Sequence, residues 1–104
     1  MAQKNERTTL LDGAGAAVNG DRNVQYGDPN ADFQRTASMW KAYLDGVYAA
    51  DRDIEPHDVA AMMALLKISR IAWSPEKFDS WMDLAGYAAC GWDCVAHGSA
   101  EAAD

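Results

Sequence analysis

The chain has 104 residues, 49% of them hydrophobic, two cysteines and a net charge of −7. That is the length of one domain. A pI of about 4.6 argues against a nucleic-acid backbone or an anionic membrane as the partner, since both call for a basic face. It does not exclude a small phosphorylated ligand, because a few local cations or a bound metal can override the global field. No apolar run approaches the roughly 20 residues of a membrane span. The first residues, M-A-Q-K-N-E-R-T-T, have no apolar signal core, so a cytoplasmic location is expected.

Residues 5–18 hold Leu10, Leu11, Ala14, Ala17 and Val18 at i, i+3, i+4 spacing, which predicts a first helix. Gly13 and Gly15 weaken it, and Asn19-Gly20 ends it. Residues 20–30, G-D-R-N-V-Q-Y-G-D-P-N, are dense in turn formers and read as a loop. Asn30 is the expected cap of a second helix, with Asp32 in its first turn. Phe33, Ala37, Trp40 and Leu44 keep helical spacing before Asp45-Gly46, the expected stop.

A connection over 46–55 leads to Glu55-Pro56, which opens a third helix with Asp58 complementing its dipole. Val59, Met62, Met63, Leu66 and Ile71 carry the period to about residue 72. Trp73-Ser74-Pro75 breaks it, and Ser74 and Pro75 are expected to start a fourth helix running to about Val95. Period-2 alternation is missing. The predicted fold class is all-α, a compact four-helix bundle with a long ordered loop between helices 1 and 2. It forms one domain over 1–104, with flexible tails at 1–7 and 97–104. Short helices with Trp40, Trp73, Trp81 and Trp92 to hide lead us to expect an oligomer, a homodimer first.

The densest chemistry lies between Asp58 and Tyr87. Asp79 and Asp83, four residues apart, project from one face of a helix and repel each other. Lys67 and Arg70, three apart on the preceding helix, could offset that repulsion across an antiparallel packing. Tyr87 extends the acidic row by a turn, and Asp58 lies at the far end of the third helix. These charges either form an inter-helix lock or line a site for a charged ligand. For the second case, carboxylates suit Mg²⁺, Arg offers a fork for phosphate and Lys a point charge. In the loop, Gly27 permits close approach of the backbone to a ligand, Arg22 could meet an anion and Tyr26 could stack on a base. The alternative there is an Asp28-Pro29 turn with Tyr26 as a lid. Cys90, Cys94 and His97 make a C-x3-C-x2-H pattern, but the rest of a zinc site is missing, so the cysteines are read as small buried hydrophobes.

At these residues the chain resembles a group of small proteins encoded by bacteriophages and prophages. The shared pattern is G-D-R-N-x-x-Y-G-D-P at Gly20 to Pro29, A-x-x-W-x-x-Y-L at Ala37 to Leu44, D-V-A-x-M-M-x-L-L-K-I-x-R at Asp58 to Arg70, and D-x-W-x-D-x-A-G-Y-A-A at Asp79 to Ala89. The K-x-x-R…D-x-x-x-D-x-x-G-Y block is also similar to a phage domain associated with nucleotide modification, and both look like distant relatives of the MazG-like all-α nucleoside triphosphate pyrophosphohydrolases. That resemblance implies an oligomeric bundle that holds Mg²⁺ on acidic helix motifs and splits a nucleotide between its α and β phosphates. Those enzymes carry E-E-x-x-E on one helix and E-x-x-D on the next. Here the first row is reduced to Asp58, and the second to Asp79 and Asp83.

Three functions follow as expectations. In the first, Asp58, Asp79 and Asp83 are the catalytic carboxylates and hold Mg²⁺, which polarises the phosphate and lowers the pKa of a bound water. Lys67 and Arg70 then bind phosphate, while Arg22, Tyr26, Gly27, Asp28 and Tyr87 enclose the nucleotide. The second is a binder that sequesters a nucleotide or nucleotide-derived signal without chemistry. The third is an interaction module whose charges are a lock.

Overall fold

The computed structural model describes residues 5–20 and 25–103. Four long helices stand among the described residues: α1 (Glu6–Asn19), α2 (Pro29–Ala49), α3 (Pro56–Trp73) and α4 (Phe78–Ala103). There is no strand among the described residues, and the all-α reading holds.

Asn5 caps α1, its side chain accepting from the Thr8 N–H at 2.8 Å. α2 starts two residues earlier than the sequence suggested. Asp28, not Asn30, is the cap, accepting from the Ala31 N–H at 3.3 Å, and Pro29 takes the first position. Gly46 does not end α2. The helix closes at Ala49, where the N–H of Arg52 reaches Val47 O at 3.2 Å and that of Asp51 reaches Tyr48 O at 3.0 Å. This is a Schellman turn, with Asp51 rather than glycine in the left-handed position at φ 55°. It delivers Arg52 to the start of α3.

α3 begins at Pro56 as expected. Ser74 and Pro75 do not start α4. They sit in a turn closed by the Lys77 N–H to Ser74 O at 3.3 Å, and α4 opens at Phe78. The buried Ser74 hydroxyl instead donates to the Gln25 carbonyl, tying the loop to the end of α3. At its other end α4 runs on to Ala103, through residues expected to form a tail.

Successive helices from α2 to α4 are antiparallel neighbours. Across α2 and α3, Arg35 Nη1 donates to Ser69 O at 3.1 Å, Trp40 Nε1 to Met62 O at 2.6 Å, and the Tyr43 hydroxyl to Asp58. Across α3 and α4, Lys67 meets Asp83, and Gly91 lies against Ala60, where a Cβ added to the glycine would come within 3.2 Å. Among the described residues, α1 packs on no other helix.

The interior of this layer is polar. Asp32, Thr36, Asp58, Ser69, Ser74 and Ser80 are buried, while Val47 is the one buried apolar side chain among the described residues. On α2 the buried row is Asp32, Thr36 and Val47, with Trp40 and Tyr43 half-buried between them. It is offset from the apolar stripe of the sequence, and Phe33 keeps 54% of its surface in water. Cys90 and Cys94 are exposed free thiols, not buried hydrophobes. The radius of gyration is 17.7 Å, against about 13 Å for a typical domain of this length.

Candidate functional site

The Asp58 side chain gathers contacts from four residues. Its carboxylate is fully buried. Arg52 grips it with both arms, Nη1 to Oδ2 at 3.1 Å and Nη2 to Oδ1 at 3.0 Å. The Glu55 N–H donates to Oδ2 at 2.8 Å, the Tyr43 hydroxyl donates to Oδ1, and His57 Nε2 lies 3.3 Å from Oδ1. The Arg52 bonds above all, helped by those from Tyr43 and Glu55, outweigh burial and hold the Asp58 carboxyl far below the usual carboxylate range. Burial first, and the adjacent carboxylate second, push the Tyr43 hydroxyl up. Asp58 therefore pins the turn after α2, the start of α3 and the middle of α2 at one point.

This arrangement corrects the expected three-carboxylate metal site. Asp58 lies nine residues before Lys67, the partner of Asp83, and at 1.5 Å per residue that is about 13 Å along α3. Among the described residues, Glu55, His57 and Asp58 are the group of three whose ligand atoms lie within 4.8 Å of one another. A cation there would sit against the Arg52 guanidinium on oxygens already satisfied, so this donor set does not fit a resident Mg²⁺. Asp79 stands exposed on the first turn of α4.

The basic pair behaves differently. Lys67 Nζ is 3.0 Å from Asp83 Oδ2, with the lysine mostly buried and the aspartate partly open. One turn further along α3 the Arg70 guanidinium lies 4.4 Å from the centre of the Tyr26 ring, a cation–π stack. Its Nε is buried without a hydrogen-bond partner. Gly27 brings the loop down beside them at φ +79°, with its α-carbon so close to Trp73 that a Cβ would lie 3.2 Å from the indole. Thus Tyr26, Gly27, Lys67, Arg70 and Asp83 share one end of the layer. Asp28 is committed to capping α2, and Arg22 lies outside the described residues.

Tyr87 borders two hollows. One, of about 400 Å³, is lined by Met82, Asp83, Gly86, Tyr87 and Cys90. The other, of about 440 Å³ and almost wholly apolar, lies between α3 and α4 and includes Ala61, Ala64, Ala88, Gly91 and Trp92.

Sequence reasoning missed Arg52, Tyr43 and Arg35. Tyr43 falls in the row Thr36, Trp40, Tyr43, Val47, a helical period that becomes visible only when polar residues are counted as interior. Arg52 had no local signal, because its role depends on a tight turn closed by an aspartate.

Residues 9–95 match a family described as a domain of unknown function, DUF6378, and the chain belongs to that family. It is similar to the Gene 55 protein of Mycobacterium phage L5, 40% identical over 80 residues, which are 77% of this chain and 48% of that protein. It is also similar to the Gene 55 protein of Mycobacterium phage D29, 35% identical over 82 residues, or 79% of this chain and 50% of that protein. The chain thus spans about half the length of these relatives. No solved structure matches. The phage resemblance read from the sequence is supported. No helix among the described residues is long and apolar enough to cross a membrane.

Proposed function

We propose that this phage-type domain binds a small anionic nucleotide at the end of the α3–α4 layer, between the Tyr26–Gly27 loop and the hollow beside Asp83 and Tyr87, and releases it unchanged. The observation that carries this reading is Arg70, stacked on Tyr26 with an unsatisfied Nε, one turn from Lys67. A guanidinium held flat and short of acceptors suits a phosphate group, because leaving a donor unmet costs about 1–3 kcal/mol. Lys67 adds a second charge, and Tyr87 an aromatic wall for a base. The likeness to MazG-like pyrophosphohydrolases suggests the ligand class, a nucleoside triphosphate or a derivative of one. Hydrolysis is the weaker half of that likeness, since Asp58 is bound to Arg52 and stands apart from Asp79 and Asp83. Magnesium would enter with the nucleotide, on Asp79 and Asp83 one turn apart.

The test is a melting-temperature and calorimetric screen against nucleoside triphosphates and cyclic dinucleotides, with and without Mg²⁺. At least one should raise the melting temperature and be recovered intact after denaturation. Arg70→Ala and Lys67→Ala should each weaken its binding tenfold or more. Release of pyrophosphate would restore the hydrolytic reading. If no nucleotide at millimolar concentration moved the transition, the binding proposal would fail.

A further inference from the structure

The surface of this chain is too large and too apolar for a lone domain. A folded monomer of 11.3 kDa is expected to expose about 5,700 Å², yet this one exposes 7522 Å², an excess of about 1,800 Å². Part of it belongs to α1. Even half would match the about 800 Å² that each partner gives to a standard interface.

The apolar excess is organised along α4. Phe78, Trp81, Ala85, Ala88, Trp92 and Ala96 recur at spacings of three and four on the side of the helix away from Lys67. Phe78 is 73% exposed, Trp81 49% and Trp92 69%. This row runs into the apolar hollow between α3 and α4, whose floor is made of small residues, Ala60, Ala61, Ala64, Ala88 and Gly91. The hollow and the protruding indoles therefore lie on one continuous face. The charges on α4, at Asp79, Asp83 and Asp93, fall on the other side of the helix.

We propose that this α3–α4 face is the interface of a two-fold homodimer, in which the Trp92 of each copy fills the small-residue hollow of the other. A two-fold interface needs a patch that complements itself, with projection and recess on the same surface, and this face carries both. It is nearly free of charge, as the centre of a permanent interface is, so a partner selected by opposite charge has nothing here to grip. The pairing turns two helical hairpins into a four-helix core and supplies the buried apolar layer that the single chain lacks. This inference does not rest on the nucleotide reading, with which it shares only Tyr87 at the border of both hollows.

Light scattering on the eluted protein should give twice the 11.3 kDa of the chain, and the melting temperature should rise with protein concentration. Trp92→Asp should halve the mass or, if it cannot fold alone, abolish the transition. Ala64→Trp, which fills the hollow without adding charge, should also weaken association at least tenfold. A folded monomer at 100 micromolar whose melting is independent of concentration would overturn the proposal. So would a dimer left unchanged by both substitutions, which would place the interface elsewhere.

Discussion

Replacing Asp58 by Asn tests whether its carboxylate is a structural lock rather than a ligand. The change keeps the volume but removes the charge that Arg52, Tyr43 and the Glu55 N–H share. Breaking a buried ion pair by removing one partner costs about 3–5 kcal/mol. Here the stranded Arg52 keeps 35% of its side-chain surface in water, which lowers the penalty, and the amide still accepts one or two of the bonds. About 2 kcal/mol is expected for Asp58→Asn and about 3 kcal/mol for Asp58→Ala, a large share of the 5–15 kcal/mol that holds a typical domain together. For a chain of this length each kcal/mol lowers the melting temperature by about 4–8 °C. Urea unfolding followed by circular dichroism measures the difference directly.

The pH dependence makes the test sharper. The folded Asp58 carboxyl lies below its unfolded value of about 3.9, so the stability it contributes is complete above that value and drains away as pH falls toward the folded one. Wild type and Asp58→Asn should differ fully at pH 7 and converge steadily below about pH 4. A chelator should leave the wild-type midpoint where it was. Equal stability at pH 7, or a gap that persists undiminished in strong acid, would refute the assignment of Asp58 as the lock.

Two other substitutions read neighbouring parts of the layer. Gly27→Ala must place a side chain at φ +79° and within 3.2 Å of the Trp73 indole, so it should cost about 1–3 kcal/mol and detach Tyr26 from Arg70, visible as changed near-ultraviolet circular dichroism. Tyr43→Phe removes one hydrogen bond to Asp58 and should cost about 1 kcal/mol at pH 7. Because the folded Tyr43 hydroxyl titrates above its ordinary value, its contribution is present below about pH 10 and lost as pH climbs past the folded value. Wild type and the Phe variant should therefore draw together in alkali.

The helices themselves were legible because their signals are local. Pro56 at a first position, the 3.6-residue period and the break at Trp73-Ser74-Pro75 each act within one or two turns, and the helices start within a few residues of where those signals put them, while α4 outruns its expected end at Val95 by eight residues. The pairing of Lys67 with Asp83 was also foreseeable, since two antiparallel neighbours offer few ways to offset a carboxylate row. What failed was the assumption that the apolar stripe of a helix is its buried stripe. In α2 the interior row is Asp32, Thr36, Tyr43 and Val47 while Phe33 faces water, and in α4 the two exposed tryptophans face outward.

Amino-acid order alone set the all-α class, the helix count, the acidic surface and the family likeness, because propensity, capping and periodicity are carried by neighbours along the chain. Only the tertiary structure decided which charges meet. Asp58 had to be either a ligand or a lock, and the choice turned on a left-handed Asp51 that swings Arg52 back onto it. Such a contact depends on the direction in which the chain leaves a helix, and a rotation of one residue there would have sent the guanidinium into solvent and left the carboxylate open.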